Sequence, residues 1–112
     1  MSDFLTLAQD QGDWADRTFG PSRDPLGALR HLGKEVSETI DAIRNGESRE
    51  EIEMEFADLL ILILDSSRRW GLSAQELVWA AQDKMMINKA RKWPDLKDQV
   101  PGKPVEHLKD DQ

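Results

Sequence analysis

The stretch PLGALRHLGKEVSETIDAIR, residues 25–44, decides the fold. Its apolar residues Leu26, Leu29, Leu32, Val36, Ile40 and Ile43 recur at steps of three and four, which is one continuous stripe along an α-helix and fits no strand period. Working outward, Gly20-Pro21 through Pro25 closes the segment before it and Asn45-Gly46 the segment itself; Gly71 and Pro94 punctuate the remainder of the chain. A third segment opens on the capping pair Ser48 and Glu51 and runs to Gly71, and a fourth opens on Ser73 and Glu76 and ends before Pro94. The first, residues 2–17, has Ser2 as its capping residue and is weakened by Gly12. The expectation is an all-α chain of four main helices over residues 1–94, followed by a polar tail over residues 95–112 that is extended or disordered.

The third segment is apolar on almost every side between Phe56 and Asp65. Three short neighbouring helices hardly surround such a surface, so the bundle is expected to be completed by a second copy, as a homodimer or homotetramer. With 112 residues the chain can bury roughly two thirds of its unfolded surface as one domain.

The 22 acids against 15 bases give a formal charge of -7. That balance disfavours a protein that grips a nucleic-acid polymer by its phosphates, while small phosphorylated ligands stay possible if divalent cations reverse the local sign. Without cysteine there is neither disulfide nor thiolate nucleophile. No signal peptide or membrane-spanning stretch is read in the sequence, and the expected location is the cytoplasm.

Glu35 and Glu38 lie three apart on the second helix, and Glu55 and Asp58 three apart on the third, so each pair shares one side of its helix. Small residues, Ala28 and Ala42, flank the first pair. Asp58 sits among Phe56, Ala57, Leu59 and Leu60, where an isolated carboxylate is costly unless a cation compensates it. Four convergent carboxylates would repel one another, and bound cations would relieve this; all-oxygen ligands favour magnesium, manganese or calcium over zinc or copper, and for phosphate chemistry Mg2+ is the usual choice, with Mn2+ as substitute. Lys84, Asn88 and Arg91 continue one stripe of the fourth helix and can reach phosphate oxygens. Trp14 and Phe19 could stack on a nucleobase, and His31, one turn before Glu35, could touch a base, a ribose or Glu35 itself. Gly33 inside a strong helix points to close approach of a helix or ligand, and Asp65, beside Arg68 and Arg69, reads as an ion-paired position. A non-catalytic acidic helical module that offers its apolar third helix to a partner is the competing reading.

Glu35-Val36-Ser37-Glu38 followed by Glu55-Phe56-Ala57-Asp58 resembles the paired acidic signature of the all-α, MazG-like nucleotide pyrophosphohydrolases. The resemblance extends to residues 84–91 and, upstream, to Trp14, Phe19-Gly20 and residues 31–35, which are similar to a phage and bacterial branch acting on purine deoxynucleoside triphosphates, including the MazZ-type phage enzymes. It implies a MazG-like helical fold and hydrolysis of a purine dNTP, dGTP first and dATP or GTP also, to the monophosphate and pyrophosphate. It further implies attack of a metal-activated water on the α-phosphorus, with Glu35, Glu38, Glu55 and Asp58 as ligands for two or more Mg2+ per site. Lys84, Asn88 and Arg91, with His31, Trp14 and Phe19, would then bind the substrate.

Overall fold

The computed structural model describes residues 3–109. Four α-helices follow one another: α1 (Asp3–Phe19), α2 (Leu26–Arg44), α3 (Arg49–Trp70) and α4 (Ala74–Ala90), then a single 3-10 turn at Leu96–Asp98. There is no strand among the described residues. The expected Ser2 cap lies outside them.

The helix ends arise from local chemistry. The Oγ of Ser48 accepts from the Glu51 backbone N–H at 3.2 Å and starts α3. At α4, Ser73 and Glu76 form the full reciprocal box, with Ser73 N–H donating to Glu76 Oε1 at 3.0 Å and Glu76 N–H to Ser73 Oγ at 3.1 Å. These contacts hold the Glu76 carboxyl below its ordinary range, the Ser73 backbone N–H contributing most. Gly71, at φ 112°, ends α3 in a left-handed cap in which Leu72 N–H returns to Ser67 O at 2.9 Å. Pro25 opens α2 without a side-chain cap of its own; Asp24 Oδ1 accepts from the Leu26 N–H at 2.9 Å instead.

The chain forms two units, Met1–Leu77 and Val78–Gln112. In the first, α2 and α3 are joined by a short turn and pack along one another as an antiparallel hairpin, and α1 lies against α3. Only Ala15, Ala42 and Leu64 are buried apolar residues among those described. The stripe of α2 stays half open, with Leu29, Val36, Ile40 and Ile43 all exposed, and so do Met54, Phe56, Leu60, Ile63 and Trp70 of α3. Polar residues fill the α1–α3 contact: Gln11, Asp65 and Arg69 are buried. Gly12 does not interrupt α1, which runs through it. A Cβ there would stand 3.0 Å from Arg68 Cδ, so the glycine lets the arginine pass. At Gly33, no other helix among the described residues comes within 4 Å of where a Cβ would be, so the close approach expected there is not made by a neighbouring helix of that part of the chain.

In the second unit, Trp93 donates its Nε1–H to the Asn88 carbonyl at 2.7 Å and meets His107 edge to face, ring centroids 6.1 Å apart. Leu108 N–H bonds Lys92 O at 2.8 Å, so the polar segment turns back on the end of α4.

Candidate metal centre

Because α2 and α3 run side by side, Glu35 of α2 comes to face Glu55 and Asp58, one turn apart on α3. One carboxylate oxygen from each lies within 4.8 Å of the other two, and Glu35 and Glu55 are partly buried. Glu38, one turn along α2, is outside this triplet and exposed, its Oε1 3.8 Å from Lys34 Nζ. Its charge still reaches the site. The Glu55 carboxyl is pushed above its ordinary range first by desolvation and then by the charges of Glu35, Asp58 and Glu38.

Glu55 carries the clearest signal. Its Oε2 is buried and has no hydrogen-bond partner among the described residues, while the charges of Glu35, Asp58 and Glu38 all bear on its carboxyl. A buried carboxylate oxygen without a donor is costly, and a hard divalent cation shared by these oxygens would satisfy it and cancel the repulsion. The donor set, all oxygen, fits Mg2+ or Mn2+ and not a soft metal. Burial was expected at Asp58, and the structure corrects this: Asp58 is exposed. Apolar neighbours in sequence point 100° away around a helix, and Phe56 and Leu60 are themselves open.

His31 binds Glu35 directly, Nε2 to Oε1 at 3.2 Å, at the edge of the triplet. Trp14 and Phe19 form an edge-to-face pair 5.3 Å apart at the end of α1. Lys84, Asn88 and Arg91 belong to the second unit. There, Arg91 Nη1 lies 3.4 Å from Asn88 Oδ1, and Lys84 is exposed.

Asp65 is ion-paired, as its arginine neighbours predict. Its Oδ2 accepts from Arg69 Nε at 2.9 Å, and its Oδ1 from Gln11 at 2.9 Å and Arg68 at 3.0 Å. Desolvation works against the charge, but the Arg69, Gln11 and Arg68 contacts outweigh it and hold the carboxyl below its ordinary range. Sequence reading missed Gln11 as the partner of this group, although a glutamine on the Leu7, Ala8, Ala15 face of α1 is the visible sign of a buried polar contact.

The chain is thus all-helical among its described residues, with a carboxylate triplet across a helical hairpin. It is similar to the solved cyanophage S-2L MazG-like pyrophosphohydrolase, described as bound to dGDP and three catalytic Mn2+ ions per active site, at a TM-score of 0.71 and 26% identity over 97% of this chain and 100% of that one. The profile of the dATP/dGTP pyrophosphohydrolase family matches residues 7–111, and the chain belongs to that family. Among its relatives are the Eaa protein of Salmonella phage P22, 35% identical over 93% of this chain, and the dATP/dGTP diphosphohydrolase of Salmonella phage PMBT28, 38% identical over 76%. The chain spans 29% and 26% of the lengths of those two relatives. No helix among the described residues is long and apolar enough to cross a membrane.

Proposed function

We propose that this chain is a metal-dependent pyrophosphohydrolase that converts a purine deoxynucleoside triphosphate, dGTP first and dATP or GTP also, to the monophosphate and pyrophosphate. The observation that carries the reading is the buried, partnerless Glu55 oxygen inside the Glu35, Glu55, Asp58 triplet. Family membership and the dGDP and Mn2+ of the cyanophage structure support it. A non-catalytic acidic module would leave that oxygen without a reason.

In this reading Glu35, Glu38, Glu55 and Asp58 hold two or more Mg2+, with Mn2+ as substitute. The cations, when bound, supply Lewis acidity and neutralise phosphate charge. One of the glutamates accepts a proton from the attacking water and aims it at the α-phosphorus. The bond from that phosphorus to the bridging oxygen breaks, and pyrophosphate leaves. Lys84, Asn88 and Arg91 meet phosphate oxygens, and Trp14, Phe19 and His31 serve the nucleoside. The chemistry lies within residues 1–94, with residues 95–112 outside the site. The open apolar stripes of α2 and α3 are covered by further copies in a homodimer or homotetramer.

Incubation with each triphosphate and Mg2+ or Mn2+, followed by chromatography, should give monophosphate and pyrophosphate; orthophosphate as the first product would refute attack at the α-phosphorus. Glu38→Gln should abolish turnover and keep the helical circular dichroism. Sedimentation showing only monomer at micromolar concentration would refute the assembly.

A further inference from the structure

The segment after Pro94 reads in the sequence as an extended or disordered tail, yet residues 92–108 close on themselves at the end of α4. Leu108 N–H donates to the Lys92 carbonyl at 2.8 Å, and His107 meets Trp93 edge to face. We propose that this closed loop is a strap, and that Trp93, latched by His107, is the positioning residue that holds Asn88 and Arg91 for the pyrophosphate end of the substrate. The proposal rests on the pyrophosphohydrolase reading. It goes beyond that reading by giving the tail a task without placing any of its residues on the substrate.

Three observations carry it. The first is that the loop is built. Between its joined ends, Asp98 N–H bonds Asp95 O at 2.9 Å, Gln99 Nε2 donates to Pro94 O at 2.9 Å, and Lys103 N–H bonds Val100 O at 3.1 Å. A surface loop whose ends meet and which bonds within itself is an Ω-loop, a class that is frequently functional. Pro94 alone suffices to stop a helix, so the return to Lys92 needs another reason.

The second is where the strap is tied. Asn88 lies in the last turn of α4, where carbonyls lack a full set of helical partners and helices fray. Trp93 donates its Nε1–H to the Asn88 carbonyl at 2.7 Å, a shorter bond than the 3.3 Å one from the Arg91 N–H. Asn88 Oδ1 in turn meets Arg91 Nη1 at 3.4 Å, the long limit of a hydrogen bond, so the pairing depends on the backbone beneath it being held. The third is shelter. Every residue from Trp79 to Lys92 is exposed except Asn88 and Arg91, which are half-buried. The sheltered pair is the pair to which Trp93 is bonded.

The test uses the full chain. Calorimetry measures Mn2+ alone, then inorganic pyrophosphate and dGMP in Mn2+ buffer, and hydrogen exchange follows the Leu108 amide. Trp93→Phe keeps a ring for His107 and removes the indole N–H; it should weaken pyrophosphate about fivefold, the loss expected for one hydrogen bond. His107→Ala should weaken it about threefold, as expected for an aromatic pair, and release the Leu108 amide to fast exchange. His107→Phe, which restores an aromatic edge, should recover both. All three variants should keep the wild-type affinities for dGMP and Mn2+. Unchanged pyrophosphate affinity in Trp93→Phe and His107→Ala overturns the positioning role. So does a loss that His107→Phe fails to rescue, or one that extends equally to dGMP and Mn2+. A Leu108 amide that exchanges in the wild type as fast as in an unstructured chain overturns the strap itself. Arg91→Ala should lose pyrophosphate more steeply than any strap variant; if it binds as the wild type does, Arg91 meets no phosphate and the strap positions nothing. A wild-type chain that turns over no triphosphate refutes the function proposed above, and the pyrophosphate comparison still decides the strap.

Discussion

Removing Asp65 tests the polar core. Its carboxylate accepts from Gln11, Arg68 and Arg69, and the side chains of Asp65 and Arg69 are 12% and 7% exposed, so Asp65→Ala strands a buried guanidinium. Breaking one partner of a buried pair costs about 3–5 kcal/mol. Arg69 keeps its bonds to Gly20 and Ser22, and Arg68 keeps Asp16 at 2.9 Å, which places the expectation at the lower end, about 3 kcal/mol. With a urea slope of about 1.5 kcal/mol per molar, the midpoint should fall by roughly 2 M at fixed protomer concentration. Because the native carboxyl is held below its ordinary range, its contribution is present above that range and lost as the pH falls through the lowered value. The gap between wild type and variant should therefore be full at pH 7 and close in strong acid. A midpoint change under about 0.5 M at pH 7 would mean the pair is worth no more than a surface ion pair, refuting the argument that polar contacts anchor α1 to α3.

Glu55 gives the opposite sign. Its carboxyl is raised, so the metal-free protein should lose stability as the pH climbs past the ordinary glutamate range, and Glu55→Gln should raise its melting temperature at pH 7 but not at pH 4. Mn2+ should stabilise the wild type by several degrees and the variant far less; equal stabilisation would remove Glu55 from the metal centre. Gly12→Ala should add about 1 kcal/mol of helix stability only in an Arg68→Ala background, where the 3.0 Å contact with Arg68 Cδ is gone; an equal gain in both backgrounds would show that Arg68 does not require the glycine. Ser73→Ala should cost about 1 kcal/mol, read from urea unfolding, by removing the α4 cap, and no change would mean that the Glu76 half of the box suffices.

The helices were legible because their signals are local. The stripe of residues 25–44, the caps at Ser48 and Ser73 and the glycine stop at Gly71 each act within one or two turns, and each lies where the sequence puts it. The acidic pairs were legible for the same reason, since a spacing of three on a helix fixes a shared side. Their meeting was not, because the register of α2 against α3 depends on packing over the whole hairpin. That register brings Glu35, Glu55 and Asp58 together and leaves Glu38 beside Lys34. It also decides that the buried, partnerless oxygen belongs to Glu55 and that Asp58 faces solvent, a reversal of what apolar neighbours along the chain imply. The clamp of Arg69 on the Gly20 and Ser22 carbonyls joins residues about fifty positions apart and has no periodic signature. Short-range hydrogen bonding and periodicity are written in the order of residues. Long-range contacts exist only after the chain has closed its loops, and they set which carboxylate is desolvated and which loop carbonyls an arginine reaches.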